Sequence, residues 1–281
     1  MNMHHTVATL QSLPAMPKTA QEILSIELAT DKGDELLLRL IEKDLAISAR
    51  VIGLANSPLF GTSRKIMTVG DAATVLGIKR VKMVALGFAM MSSVTRNPPG
   101  LLNVKQLWQH SMAVAMSMEA LSHAMPQARR PPDEEIYLAG LLHDIGFLVL
   151  EFIEPELSNR FHLCMSQSDG LHDNELEAEM LEMNHCELGA LLAERWNLTG
   201  TIISVLRQHH LDGLQPDAPG QPLIAMTNLA EKLLPTFALH HTEVSTISPA
   251  EWQALGIADD QVDNVEAAMR SRAEEIAAAF A

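Results

Sequence analysis

The stretch Ile136-Tyr137-Leu138-Ala139-Gly140-Leu141-Leu142-His143-Asp144-Ile145-Gly146-Phe147-Leu148-Val149-Leu150 is apolar on nearly every side, yet carries a histidine and an aspartate near its middle. Ile136, Ala139, Gly140, His143, Phe147 and Leu150 recur at the helical period. Tyr137, Leu141, Asp144 and Leu148 form a second stripe beside them. A helix that is apolar all round belongs at the centre of a fold. A carboxylate in that position is costly unless it meets a cation or several donors. The pattern predicts one central helix over 133–152 and a polar site built into the core.

Outward from this helix the apolar period stays close to 3.6, and no alternating strand pattern stands out, so the expected fold is all-α. Helices are predicted over 18–28, 34–43, 45–56, 71–76, 78–94, 104–125, 155–167, 176–183, 185–197, 200–210, 222–239 and 259–280. Asn56-Ser57-Pro58 stops a helix, because proline holds the residue before it in extended geometry. Arg96-Asn97-Pro98-Pro99-Gly100 is the strongest breaker in the chain. It divides the sequence into an N-terminal lobe, 1–99, and a C-terminal lobe, 100–281.

Within 281 residues, 47% are hydrophobic and 20% charged, which describes a chain with enough apolar surface to fold. A formal net charge of −15 argues against nucleic acid as a partner, since phosphate contacts need a basic surface. An aromatic share of 4% argues against base-stacking platforms. Cys164 and Cys186 are too far apart for a CxxC unit and read as reduced structural thiols of a cytoplasmic protein. Met1 to Leu10 lacks the basic and apolar regions of a signal peptide, and no apolar run reaches a membrane span of ~18 residues.

The histidines carry the functional signal. His110 shares a face with Leu107, Ala113 and Val114; His185 with Leu188, Gly189 and Leu192; His209 and His210 extend the stripe of Ile202, Ile203 and Leu206. With His143 and Asp144, five histidines and one aspartate from four predicted helices face inward. One buried histidine is usually a satisfied core residue. Five beside a buried aspartate point to a divalent transition metal (Fe, Mn, Zn or Ni), because imidazole and carboxylate together suit these ions. Adjacent ligands diverge by ~100° on a helix, so His143 and Asp144 either serve one ion from two sides, or Asp144 bridges two. His4, His5, His123, His162, His172, His240 and His241 read as solvated or capping side chains.

At these residues the sequence resembles a known superfamily. Gly140-Leu141-Leu142-His143-Asp144-Ile145-Gly146 is similar to the central motif of HD-domain metal-dependent phosphohydrolases. His110 upstream, with His185 and His209-His210 downstream, follows the order of their cyclic-di-GMP phosphodiesterase branch. Leu13-Pro14-Ala15-Met16-Pro17, Ala55-Asn56-Ser57-Pro58-Leu59-Phe60-Gly61, Ile66, Ala72, Leu76-Gly77 and His185-Cys186-Glu187-Leu188-Gly189-Ala190 with Trp196 resemble the HDOD domain, an HD-related output domain of bacterial signalling proteins.

The resemblance implies an N-terminal helical bundle packed on an HD-like lobe. It also implies a bacterial signal-transduction or regulatory role, exercised through a signalling protein partner, with a retained site for one or two metal ions. The other reading is an active phosphohydrolase on a nucleotide, cyclic dinucleotide or other phosphate-containing small molecule, with Asp144 as its catalytic residue. Phe147 stands where phosphodiesterase relatives carry a lysine, and Asn228 aligns with their late metal-binding aspartate. Glu231, three residues on, shares a helix face with Asn228; it reads first as a solvated charge and second as a carboxylate that replaces the missing aspartate. The segment from Asn56 to Ile66 is a surface for a partner on the regulatory reading and a plain helix stop on spacing alone.

Overall fold

Side-chain oxygens start the helices. Thr30 accepts from the Gly33 amide, Asp44 from Ala46 and Ile47, Thr68 from Asp71, Asn103 from Gln106, Asn184 from Glu187 and Thr199 from Ile202, each satisfying an amide the helix leaves unpaired. The computed structural model describes residues 13–28, 30–62, 64–95, 99–167, 173–211, 217–234 and 247–280. Among these residues there are fifteen α-helices and no strand, so the protein is all-α. In chain order they are α1 (Lys18–Ser25), α2 (Asp31–Glu42), α3 (Leu45–Ala55), α4 (Val69–Leu76), α5 (Ile78–Val94), α6 (Val104–Ala124), α7 (Asp133–Leu142), α8 (Ile145–Ile153), α9 (Pro155–Gln167), α10 (Asp173–Met180), α11 (His185–Arg195), α12 (Gly200–Gln208), α13 (Leu223–Leu233), α14 (Pro249–Ala254) and α15 (Val262–Phe280).

The predicted central helix is two helices. The chain breaks at His143-Asp144, where Asp144 leaves helical geometry (φ −98°, ψ 12°), and α7 and α8 meet at a bend of 42°. The apolar pattern runs through the break because both halves are buried, so periodicity alone could not show it. The break frees His143 and Asp144 from the ~100° divergence of adjacent helical residues. Helix α14 was not anticipated, although its start is written in Ser248 and Glu251, which cap each other's backbone.

Helices α5 and α6 are the buried axis, with α7 packed on both. Gly140 of α7 lets that packing close: a Cβ there would lie 2.5 Å from the Ala115 Cα. Helix α8 packs on α11 and α5, and α11 on α12. The N-terminal helices join the same apolar core through α1 on α5. The segment before α1 is tied to the far lobe: the Trp196 indole donates to the Pro14 carbonyl at 3.0 Å, and Arg195 to that of Leu13 at 3.3 Å. Helix α15 lies along α6 and also reaches α3 and the short 3-10 turn Pro58–Phe60.

The segment after α3 is held by one side chain. Asn56 donates to the carbonyls of Ile52 and Ile66 and accepts from the Ile66 amide, at 2.8–2.9 Å. Of the breaker at 96–100, residues 96–98 lie outside the described residues, as do His4, His5, His172, His240 and His241. Gly100 and Leu101 donate their amides to Glu151 and Asn159, both at 2.7 Å. Among the described residues no single helix is long and apolar enough to cross a membrane; the α7–α8 pair is apolar enough only when joined across its bend.

Candidate metal centre

Four elements converge where α7 gives way to α8. His110 comes from the middle of α6, His143 and Asp144 from the break, His185 from the first turn of α11, and His209 and His210 from the end of α12. Gly146 permits the approach of α11: a Cβ on it would lie 2.6 Å from the His185 carbonyl carbon and 2.8 Å from the His185 Cα. The predicted convergence of these residues is what the structure shows.

The side chains form two groups that share Asp144. In the first, the Nε2 atoms of His110 and His143 lie 3.2 Å apart, and Glu231 Oε1 from α13 lies 2.7 Å and 3.0 Å from them. Asp144 Oδ2 is 3.5 Å from His110 Nε2 and 3.2 Å from His143 Nε2. In the second, His185 Nε2 lies 3.4 Å from His209 Nε2, 3.1 Å from His210 Nε2 and 3.4 Å from Cys186 Sγ. The other oxygen, Asp144 Oδ1, is 3.5 Å from His185 Nε2 and 3.6 Å from His209 Nε2. One carboxylate therefore presents one oxygen to each group.

Backbone and a second carboxylate orient the rings. His143 Nδ1 lies 2.9 Å from the Gly140 carbonyl, and His209 Nδ1 lies 3.1 Å from that of Leu206. A carbonyl only accepts, so each neutral ring carries its proton on Nδ1 and turns the Nε2 lone pair inward. His185 Nδ1 meets both oxygens of Glu177, at 2.8 Å and 3.0 Å. This is the carboxylate–histidine pairing that commonly orients a metal-binding imidazole.

The electrostatics are those of a buried cluster of opposite charges. Burial works against the charged forms of His143 and Asp144, but their mutual attraction, reinforced for His143 by Glu231, raises the imidazole well above its usual range and lowers the carboxyl well below it. Glu231 is likewise lowered, burial being overcome by His110 and His143. His209, against burial, is raised to about 9 beside Cys186 and Asp144, and the Cys186 thiol, against burial, is lowered to about 6 by His185 and His209. His210 is driven well below the usual range by burial and by its two histidine neighbours. The pocket attracts positive charge.

Asn228 and Glu231 both come from α13, and Glu231 differs from its first reading. The amide nitrogen of Asn228 donates to the His209 carbonyl at 3.0 Å, so this residue holds the end of α12 in place. Glu231, read as a solvated charge, has a side chain only 18% exposed and stands in the first group. Helix register explains it: α13 turns both residues inward, and the longer side chain reaches the imidazoles. His162 is buried beside Phe147 rather than solvated. Phe147 stacks on the His185 ring, with centroids 4.3 Å apart and planes 17° from parallel.

Sequence reasoning missed two participants. Glu177 sits among Glu175, Glu179 and Glu182 and looks like one more solvated acid; only its place in α10, facing α11, distinguishes it. Cys186 was read as a structural thiol, although its position directly after a candidate ligand was a usable signal. His110, His143 and Glu231, and separately His185, Cys186, His209 and His210, are the residues that could hold metal ions.

Known proteins match this architecture. A protein of Treponema pallidum (strain Nichols) with no assigned function is 26% identical over 222 residues, 76% of this chain and 41% of its own length. The present chain thus spans about two fifths of that relative. The solved structure of a protein provisionally named for signal transduction, from Marinobacter aquaeolei VT8, superposes with a TM-score of 0.74 at 23% identity, covering 99% of this chain and 62% of that one. A Shewanella amazonensis SB2B protein provisionally named a phosphohydrolase superposes with a TM-score of 0.68 at 22% identity, covering 98% and 97%. At these identities the likeness is one of fold. The HDOD domain model matches residues 13–211, which carry the Leu13 to Pro17 segment, the Asn56 clamp, His110, the His143-Asp144 break, His185 and the His209-His210 pair: the chain belongs to the HDOD family.

Proposed function

We propose that this chain is a regulatory HDOD protein whose HD-type site holds one or two divalent transition metal ions, and that it acts by binding a signalling protein partner. The observation that carries the metal is the placement of Asp144, with one oxygen toward His110 and His143 and the other toward His185 and His209. His110, His143, Glu231 and Asp144 would hold one ion, and His185, His209, His210 and Asp144 the other. Separations of 2.7–3.6 Å between the Asp144 and Glu231 oxygens and the Nε2 atoms of His110, His143, His185 and His209 suit donors ~2.0–2.2 Å from a shared ion.

Regulation is favoured over hydrolysis by closure of the site. Four protein donors around an ion complete a tetrahedral shell, whereas a catalytic ion keeps a position open. His143 and His209 are fully buried, and Phe147 fills the place of a phosphate-facing cation. The second reading, an active phosphohydrolase with Asp144 at its centre, is favoured by the bridging carboxylate, because two ions side by side can activate water and stabilise developing charge on phosphate oxygens.

Elemental analysis of protein purified without chelator, with a cyclic dinucleotide assay after reconstitution with manganese or iron, tests both readings. Bound metal without turnover is expected. His143→Ala should lose metal and melt lower, since a ligand bound only to the folded state stabilises it by about 2.7 kcal/mol at a hundredfold excess over Kd. Metal absent before and after reconstitution would refute the metal reading. Turnover in the wild type that vanishes in His143→Ala would make the protein an enzyme.

A further inference from the structure

We propose that Cys186 is a thiolate ligand of the second group, so that the two halves of the centre differ chemically and the sulfur-bearing half binds a thiophilic divalent ion such as zinc or cobalt. This rests on the metal reading above and makes the sulfur a fifth donor to the second ion.

The geometry is specific. Metal–nitrogen bonds of ~2.0–2.1 Å and metal–sulfur bonds of ~2.3 Å place neighbouring donors of a five-coordinate ion about 2.9–3.8 Å apart. Cys186 Sγ lies 3.4 Å from His185 Nε2, and His185 Nε2 lies 3.4 Å from His209 Nε2 and 3.1 Å from His210 Nε2. The Cys186 Sγ to His209 Nε2 separation is 4.0 Å. His185, Cys186, His209 and His210 each offer one ligand atom within 4.8 Å of the others.

One hydrogen bond does not account for this convergence. With Nδ1 engaged by Glu177, His185 reaches its other neighbours through Nε2 alone, which offers a single N–H or a single lone pair along one line. Cys186 Sγ, His209 Nε2, His210 Nε2 and Asp144 Oδ1 all lie within 3.5 Å to 3.1 Å of that one atom. A single N–H or lone pair serves one of them. A cation between them serves all.

The first group, by contrast, offers imidazole and carboxylate only. Sulfur shifts preference toward softer ions, while nitrogen and oxygen donors also accept iron and manganese. Cys186 is buried and lies in the first turn of α11, directly after His185. Adjacent residues both reach the group because that turn points its side chains at the α7–α8 break.

Cobalt(II) titrated into the full chain after chelator treatment, under a thiol-free reductant, tests the assignment. The wild type is expected to develop visible ligand-field bands and a near-ultraviolet sulfur-to-cobalt charge-transfer band. Cys164→Ser should keep the latter, and Cys186→Ser should lose it while retaining cobalt in the first group. Visible bands without a charge-transfer band in the wild type, or a band that survives in Cys186→Ser, would overturn the thiolate and leave the metal reading intact. Absence of all cobalt bands in the wild type would overturn both. The wild-type and Cys164→Ser spectra decide the matter even where Cys186→Ser does not fold.

Discussion

Replacing Gly146 by alanine should weaken the protein although the substitution improves helix propensity. Gly146 lies in the first turn of α8, and alanine in a helix is favoured over glycine by about 1 kcal/mol. Its new Cβ would stand 2.6 Å from the His185 carbonyl carbon and 2.8 Å from the His185 Cα. Carbon atoms settle at about 3.5–4.0 Å, so α8 and α11 must part by about 1 Å. These two atoms and the His185 carbonyl oxygen, which the Cβ would also meet, are all backbone and cannot rotate aside. Forcing an extra carbon into a packed core costs about 1–3 kcal/mol. At the upper end, less the propensity gain, the net loss is about 2 kcal/mol. That corresponds to a fall in Tm of roughly 4–8 °C for a chain near this size.

The same displacement carries His185 away from Asp144, so metal bound by the second group should fall as well. Gly53 is the control. It lies within α3, and nothing stands within 4 Å of the Cβ it would gain, so Gly53→Ala should raise Tm. Thermal unfolding of both variants, with chelator and with added metal, measures the effects. A Gly146→Ala protein that melts at or above the wild-type temperature and binds as much metal would refute the view that the α8–α11 crossing sets the site.

Glu231→Gln keeps the shape of the side chain but removes its charge, and elemental analysis should show metal lost from the His110–His143 half alone. Phe147→Lys would place an ammonium at a position 3% exposed and stacked on His185, so Tm should fall even though the lysine matches the phosphodiesterase pattern. Asn228→Asp should also lower Tm, by about 1–3 kcal/mol of stability, because a carboxylate cannot donate to the His209 carbonyl that Asn228 now satisfies. Asn56→Ala strips partners from both the amide and the carbonyl of Ile66; it should lower Tm by a similar margin while leaving metal content unchanged, and a change in metal content would show that the clamp reaches the site.

The helical fold and most of the centre were legible because a buried histidine leaves a mark on a periodic pattern. His110, His143, His185 and His209 each interrupt an apolar stripe that otherwise needs no polar residue. Glu177, Glu231 and Cys186 left no such mark. Glutamates are expected on helix surfaces, and a cysteine passes for a small apolar core residue, so composition gave no reason to place them in a polar site. His162, buried beside Phe147, was passed over for the same reason: nothing in its local stripe sets it apart.

The amino-acid sequence by itself determined the all-α class, the inward histidine faces and the family, since each follows from patterns a few residues to a few dozen residues long. Tertiary structure decided the rest. It broke the apolar run at His143-Asp144 and gave each Asp144 oxygen its own set of imidazoles. It also brought the Glu231 carboxylate beside His110, turned the Asn228 amide nitrogen to the His209 carbonyl and set Cys186 against His185. Periodicity states which side of a helix is buried. The height and rotation at which buried faces meet depend on close approaches such as Gly140 on Ala115 and Gly146 on His185, between residues tens of positions apart, and those contacts exist only once the helices have packed.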